Sequence, residues 1–136
     1  MLKMKNIFFL LLLMGTLVAC SSDDDAGQDN ITSAMITLQN TSGGTESGIV
    51  IYAYDESTWS VIGDDPTFAD FQASSNNDGI ATFTNLTSDL TFNELTNNTQ
   101  TFRFSAHYTL NGNATTKVKA ITFNLGDDKT DTIILD

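Results

Sequence analysis

The sequence predicts an all-β fold, a single antiparallel β-sandwich over residues 33–136, and three observations carry that prediction. Thr101 to Leu110 reads TFRFSAHYTL, in which Phe102, Phe104, Ala106 and Tyr108 alternate with Arg103, Ser105 and His107. A period of two marks a strand with one face turned to a core. Short β-branched and aromatic runs recur along the body, separated by clusters of Asn, Asp, Ser and Gly, the residues that make turns. No segment holds a helical period, although Leu90 to Leu95 has room for one short helical turn. Closely spaced strands without long crossovers stack as a sandwich.

Ahead of this body, Lys3 and Lys5 precede an uncharged run from Ile7 to Ala19 that includes Leu10 to Leu13. The run is shorter than the ~20 residues a helix needs to cross a bilayer, so a secretory signal over residues 1–19 is the better reading. Leu17-Val18-Ala19-Cys20 resembles the lipobox of bacterial lipoproteins. The resemblance implies cleavage before Cys20, a diacylglycerol on its thiol and a further acyl chain on its freed amino group. Two chains give durable membrane anchoring where one is marginal. Cys20 is the only cysteine, so no internal disulfide is available and the fold rests on its core.

Ser21-Ser22-Asp23-Asp24-Asp25 looks like the acidic export signal of surface lipoproteins in Bacteroidetes-type bacteria. That likeness implies an outer-membrane protein facing the cell exterior. Composition alone reads residues 20–32 as a flexible acidic tether: Ser21 to Asn30 carries four aspartates and no large apolar side chain, too little to order itself. The two readings are compatible.

The chain has 17 acidic and 6 basic residues, a net charge of −11. Removing the signal removes Lys3 and Lys5 and takes the balance to about −13. Nucleic acid is excluded as a partner on this ground, because phosphate binding needs clustered Lys and Arg. The expected partners are the membrane, through the lipid anchor, and a glycan or cell-surface protein.

Within the body, Ala34 to Gln39 (AMITLQ) reads as the first strand and is followed by a loop with three glycines. Ile49 to Tyr54 (IVIYAY) is apolar at nearly every position, as in a central strand buried on both faces. Ile80 to Leu86 follows the turn SSNNDG, read as a plain hairpin turn. Lys117 to Leu125 and Thr130 to Leu135 flank GDDK, where Gly126 suits a positive φ. The runs SGIVIYAYDEST, NNDGIATFTNL and FRFSAHY are together similar to the prealbumin-like sandwiches of carboxypeptidase regulatory-like or transthyretin-like domains. The likeness covers Gly48 to Tyr108 and implies a prealbumin-like or, more broadly, Ig-like topology. The sequence departs from that pattern in a long insertion, Asp55 to Asp70.

The insertion, DESTWSVIGDDPTFAD, is the candidate ligand loop, with Trp59, Asp64, Asp65, Phe68 and Asp70 as its candidate residues. Loops on a rigid sandwich carry much of protein binding, and Trp59 could stack on a sugar ring or an apolar side chain. The alternative, which the sequence favours, is that Trp59, Val61 and Ile62 form an extra edge strand that closes the sandwich. Ser74 to Gly79 has oxygen side chains at alternate positions like a calcium loop, but lacks the first aspartate and the closing glutamate. Solvated acids are likewise a better reading of Asp64, Asp65 and Asp70 than a cation site, so no metal or cofactor is expected.

Catalytic groups are sparse. His107 is the only histidine; the alternation turns it away from the Phe102–Phe104 face, toward solvent, and no nucleophile motif accompanies it. The expected function is therefore a non-catalytic binding or interaction module on a surface lipoprotein. A small hydrolase or hydrolase accessory subunit, and an envelope component without a ligand, are the alternatives.

Overall fold

The computed structural model describes residues 30–87 and 98–136. The expected signal at 1–19, Cys20, Ser21 to Asp25 with the tether through residue 29, and the helical turn at Leu90–Leu95 lie outside the described residues.

The protein is an all-β sandwich, as expected. Strands β1 (Ser33–Asn40), β2 (Val50–Asp55), β3 (Phe71–Ser74), β4 (Ile80–Phe83), β5 (Thr99–Leu110), β6 (Asn113–Asn124) and β7 (Asp128–Leu135) build two sheets. One has the order β3-β2-β5-β6 and the other β4-β1-β7. The alternation of β5 works as read: Phe102, Phe104 and Ala106 are buried between the sheets. Across the gap Phe83 meets Phe104 edge to face, at 5.2 Å between centroids and 68° between planes. Phe123 packs on Phe102 from the neighbouring strand β6. Ile36, Leu38, Ile51, Ile133 and Leu135 fill the rest of the core. Strand β2 is central, between β3 and β5, and its outward-facing Tyr54 is buried as well, under Trp59 and Asp64 of the segment that follows the strand.

Four features differ from expectation. The β1–β7 pairing is parallel, Ser33 beside Asp128 and Asn40 beside Leu135, while the other pairings of the described strands are antiparallel. A parallel neighbour far along the chain leaves no local turn signal. The SSNNDG turn is not a hairpin, because β3 and β4 lie in different sheets. Asn76 Oδ1 accepts from Asp78 and Ile80 N–H and folds the chain over from one sheet to the other. Gly79, with φ of +76°, has no room for a Cβ, which would meet Leu38 O at 2.9 Å. The true hairpin is β5–β6, turned by Asn111 and Gly112 with φ of 51° and 82°, the two left-handed residues of a type I′ turn. Finally, the fold starts before Ser33. Thr32 is fully buried, and its Oγ1 accepts from Gly126 N–H while its carbonyl accepts from Leu86 N–H. Asn30 to Thr32 thus belong to the sandwich rather than to the tether.

Candidate functional site

The 55–70 insertion is a helical flap, not an edge strand. Asp55 caps helix α1 (Glu56–Ile62), its carboxylate accepting from Thr58 N–H and Ser57 Oγ at 2.7 Å each. Glu56 in the first turn complements the helix dipole. Gly63, with φ of +76°, ends the helix and its N–H returns to Trp59 O. Seven residues are too few to show a helical period in sequence, and the helix depends on the sheet beneath it. A short 3₁₀ turn at Pro66–Phe68 follows, capped by Asp65 through Thr67 N–H.

The flap lies over the outer face of β2 and β5 and is pinned at three places. At its base, Asp70 accepts from Asp55 N–H at 2.8 Å and from Thr58 Oγ1 at 3.1 Å. Partial burial is the largest influence on Asp70 and pushes its carboxyl up, against the lowering effect of these donors. Along the helix, Arg103 of β5 pairs with Glu56 at 3.1 Å and sits 5.5 Å from the Trp59 ring centre. Trp59 also packs edge-on against Tyr54.

The third attachment is Asp64. Its carboxylate accepts from Ser105 Oγ at 2.8 Å and Tyr54 Oη at 3.2 Å, and lies 2.9 Å from His107 Nε2. Tyr54 is buried and its phenol is pushed well above the ordinary tyrosine range, by burial first and then by the charge and hydrogen bond of Asp64. His107 is therefore not free in solvent, contrary to the sequence reading. The flap covers the face to which the alternation assigned it, and Tyr52 meets its ring edge-on at 4.9 Å. Ser105, on the same outer face, is fully buried.

Serine, histidine and aspartate thus come together, in the wrong order for nucleophilic catalysis. In a triad histidine stands between serine and aspartate and takes the serine proton. Here Asp64 stands between Ser105 and His107, and the serine hydroxyl is sealed from solvent. Among the described residues no group of three or more His, Asp or Glu could hold a metal ion. Asp64, Asp65 and Asp70 each serve a different protein donor set.

Among the residues the flap leaves exposed, beside polar ones such as Glu56, Ser60 and Thr67, are three large apolar side chains. Val61 is 84% exposed, Phe68 53% and Ile62 40%. Of the candidate residues, Trp59 is taken up by Tyr54 and Arg103, the three aspartates accept hydrogen bonds that hold the flap, and Phe68 is an exposed apolar side chain. Val61 and Ile62, read from sequence as closing the core, are the surface instead. Compared with known protein families and with curated proteins, the chain matches none.

Proposed function

We propose that the protein is a lipoprotein of the outer membrane, anchored through Cys20 and exposed at the cell surface, and that its sandwich is a non-catalytic module for docking another protein. The observation that carries the docking role is the pinned flap presenting Val61, Ile62 and Phe68 to solvent. Exposed apolar side chains grouped on one segment are a feature of interaction sites, and a surface already ordered loses less entropy on binding. A protein partner is favoured over a glycan because Trp59 is occupied within the fold.

The anchor and the export signal rest on the lipobox and on Ser21 to Asp25. The catalytic alternative is disfavoured by the burial of Ser105 and by the central place of Asp64.

The test is co-purification from cells of the full-length, lipidated protein and of its Val61→Glu, Phe68→Glu variant. The variant should keep its membrane fraction and thermal transition and lose the partner. Retention of the same partner by the variant would remove the flap from the interface.

A further inference from the structure

The sandwich has a second candidate site, at the end away from Asn30. Asn30, Thr87 and Asn98, where the described chain breaks off, all gather at the end marked by Leu125 and Gly126. Strand β1 then runs from Ser33 to Asn40, roughly 23 Å at the rise of a strand. At its far end the two sheets part around a cleft of about 400 Å³, within the size range of small-molecule sites.

The lining of this cleft mixes apolar side chains with polar and acidic ones and includes His107. Ile49, Leu110 and Leu135 line it together with Tyr108, and Ile49 and Tyr108 pack on the core below. Glu46 and Asp136 contribute carboxylates, and no lysine or arginine is among the described residues that line it. The carboxylate of Asp136 is paired with Lys117 at 2.9 Å, whereas Glu46 has no basic partner among the described residues. Glu46 is held in place: its Oε1 accepts from Asn40 Nδ2 at 2.8 Å, and Asn40 is itself fixed by Ser42 and Gly44 N–H. This leaves Glu46 Oε2 as an acceptor. A Cβ on Gly44 would come within 2.9 Å of Asn40 Nδ2, so the turn is built closely around this pair.

We propose that this cleft binds a compact alkylammonium group, its stem on Ile49, Leu110 and Leu135 and its ammonium on Glu46. Glu46 is the lining carboxylate without a basic partner among the described residues, Asp136 being paired with Lys117 and His107 lying against Asp64, and the acidic balance of the chain, 17 Asp and Glu against 6 Lys and Arg, raises the local concentration of cations. An ammonium on an apolar stem satisfies both parts of the lining, as long cationic side chains do when they lie along apolar surface. The cleft meets the flap through His107, which lines it and lies against Asp64, but it contains neither Val61 nor Phe68 and stands whether or not those two dock a protein.

The experiment titrates the full-length lipidated protein in detergent with 1,5-diaminopentane, following the backbone amides of Gly48, Ile49 and Leu110 by NMR. Saturable shifts confined to these amides are expected, weakened at least tenfold in Glu46→Gln. Glutamine keeps an oxygen for Asn40, so the turn survives the change. The uncharged pentane-1,5-diol and a neutral methyl hexoside should leave the amides unmoved. No saturable shift, equal affinity in Glu46→Gln, or tighter binding of either neutral probe would overturn the proposal.

Discussion

His107 Nε2 lies 2.9 Å from Asp64 Oδ1, joining the outer face of β5 to a flap residue 43 positions earlier in the chain. Ser105 and Tyr54 donate to the same carboxylate, so one side chain from the insertion satisfies three polar groups of the sheet. The loss expected at each member depends on what is left behind. Asp64→Ala strands the hydroxyls of buried Ser105 and Tyr54 and should destabilise the protein by on the order of 2–3 kcal/mol. His107→Ala removes one half-exposed partner and should cost about 1 kcal/mol. Chemical denaturation separates the two; equal losses would mean that Asp64 is not the common acceptor.

Phe104→Ala tests the core independently of the flap. The ring is fully buried and touches Phe83 of the opposite sheet and Phe123 of β6. Its removal should cost about 3–5 kcal/mol, read from the denaturation midpoint at unchanged slope.

Alkaline titration reports on Tyr54. Its phenol is raised in the folded state by burial and by Asp64, while in the unfolded chain it ionises near pH 10. Between those values the folded protein holds a proton that the unfolded chain releases. The Tyr54 contribution is therefore complete below about pH 10 and is lost as pH rises above it. Ultraviolet difference spectra should show Tyr54 ionising only as the protein unfolds, and Asp64→Asn should bring that ionisation to lower pH.

Much of this architecture is legible in the sequence, and the losses have physical causes. The aromatic alternation of β5 and the apolar run of β2 are local patterns, and both lie where the pattern puts them. The Asn111-Gly112 hairpin was equally local, and its type I′ chemistry is present in the residues. Helix α1 has its signature in Asp55 as cap and Gly63 as stop, yet its exposed Val61 mimics the β-branched content of an edge strand. The β1–β7 parallel pair and the Asp64–His107 contact join segments far apart in the chain, and no local pattern encodes them. The sequence rule that places alternate residues on opposite faces was correct for His107. What it could not supply was the flap lying on that face.

The membrane address has its own test. Cys20→Ser should leave a precursor that takes up no fatty-acid analogue. Replacing Asp23, Asp24 and Asp25 by Ala should keep the lipid and shield the protein from protease added to intact cells. A lipidated Cys20→Ser protein would contradict the anchor, and unchanged protease access in the triple variant would reduce the acidic run to a tether.

The most direct measurement places a photoreactive amino acid at Phe68 in the full-length lipidated protein on intact cells. A discrete protein adduct is expected at this position, weakened when Asp64→Ala releases the flap from Ser105, Tyr54 and His107, with none from the same probe at Thr82 on the opposite sheet. Adducts to lipid alone, or an identical adduct from Thr82, would contradict the claim that the pinned flap is a protein-docking surface.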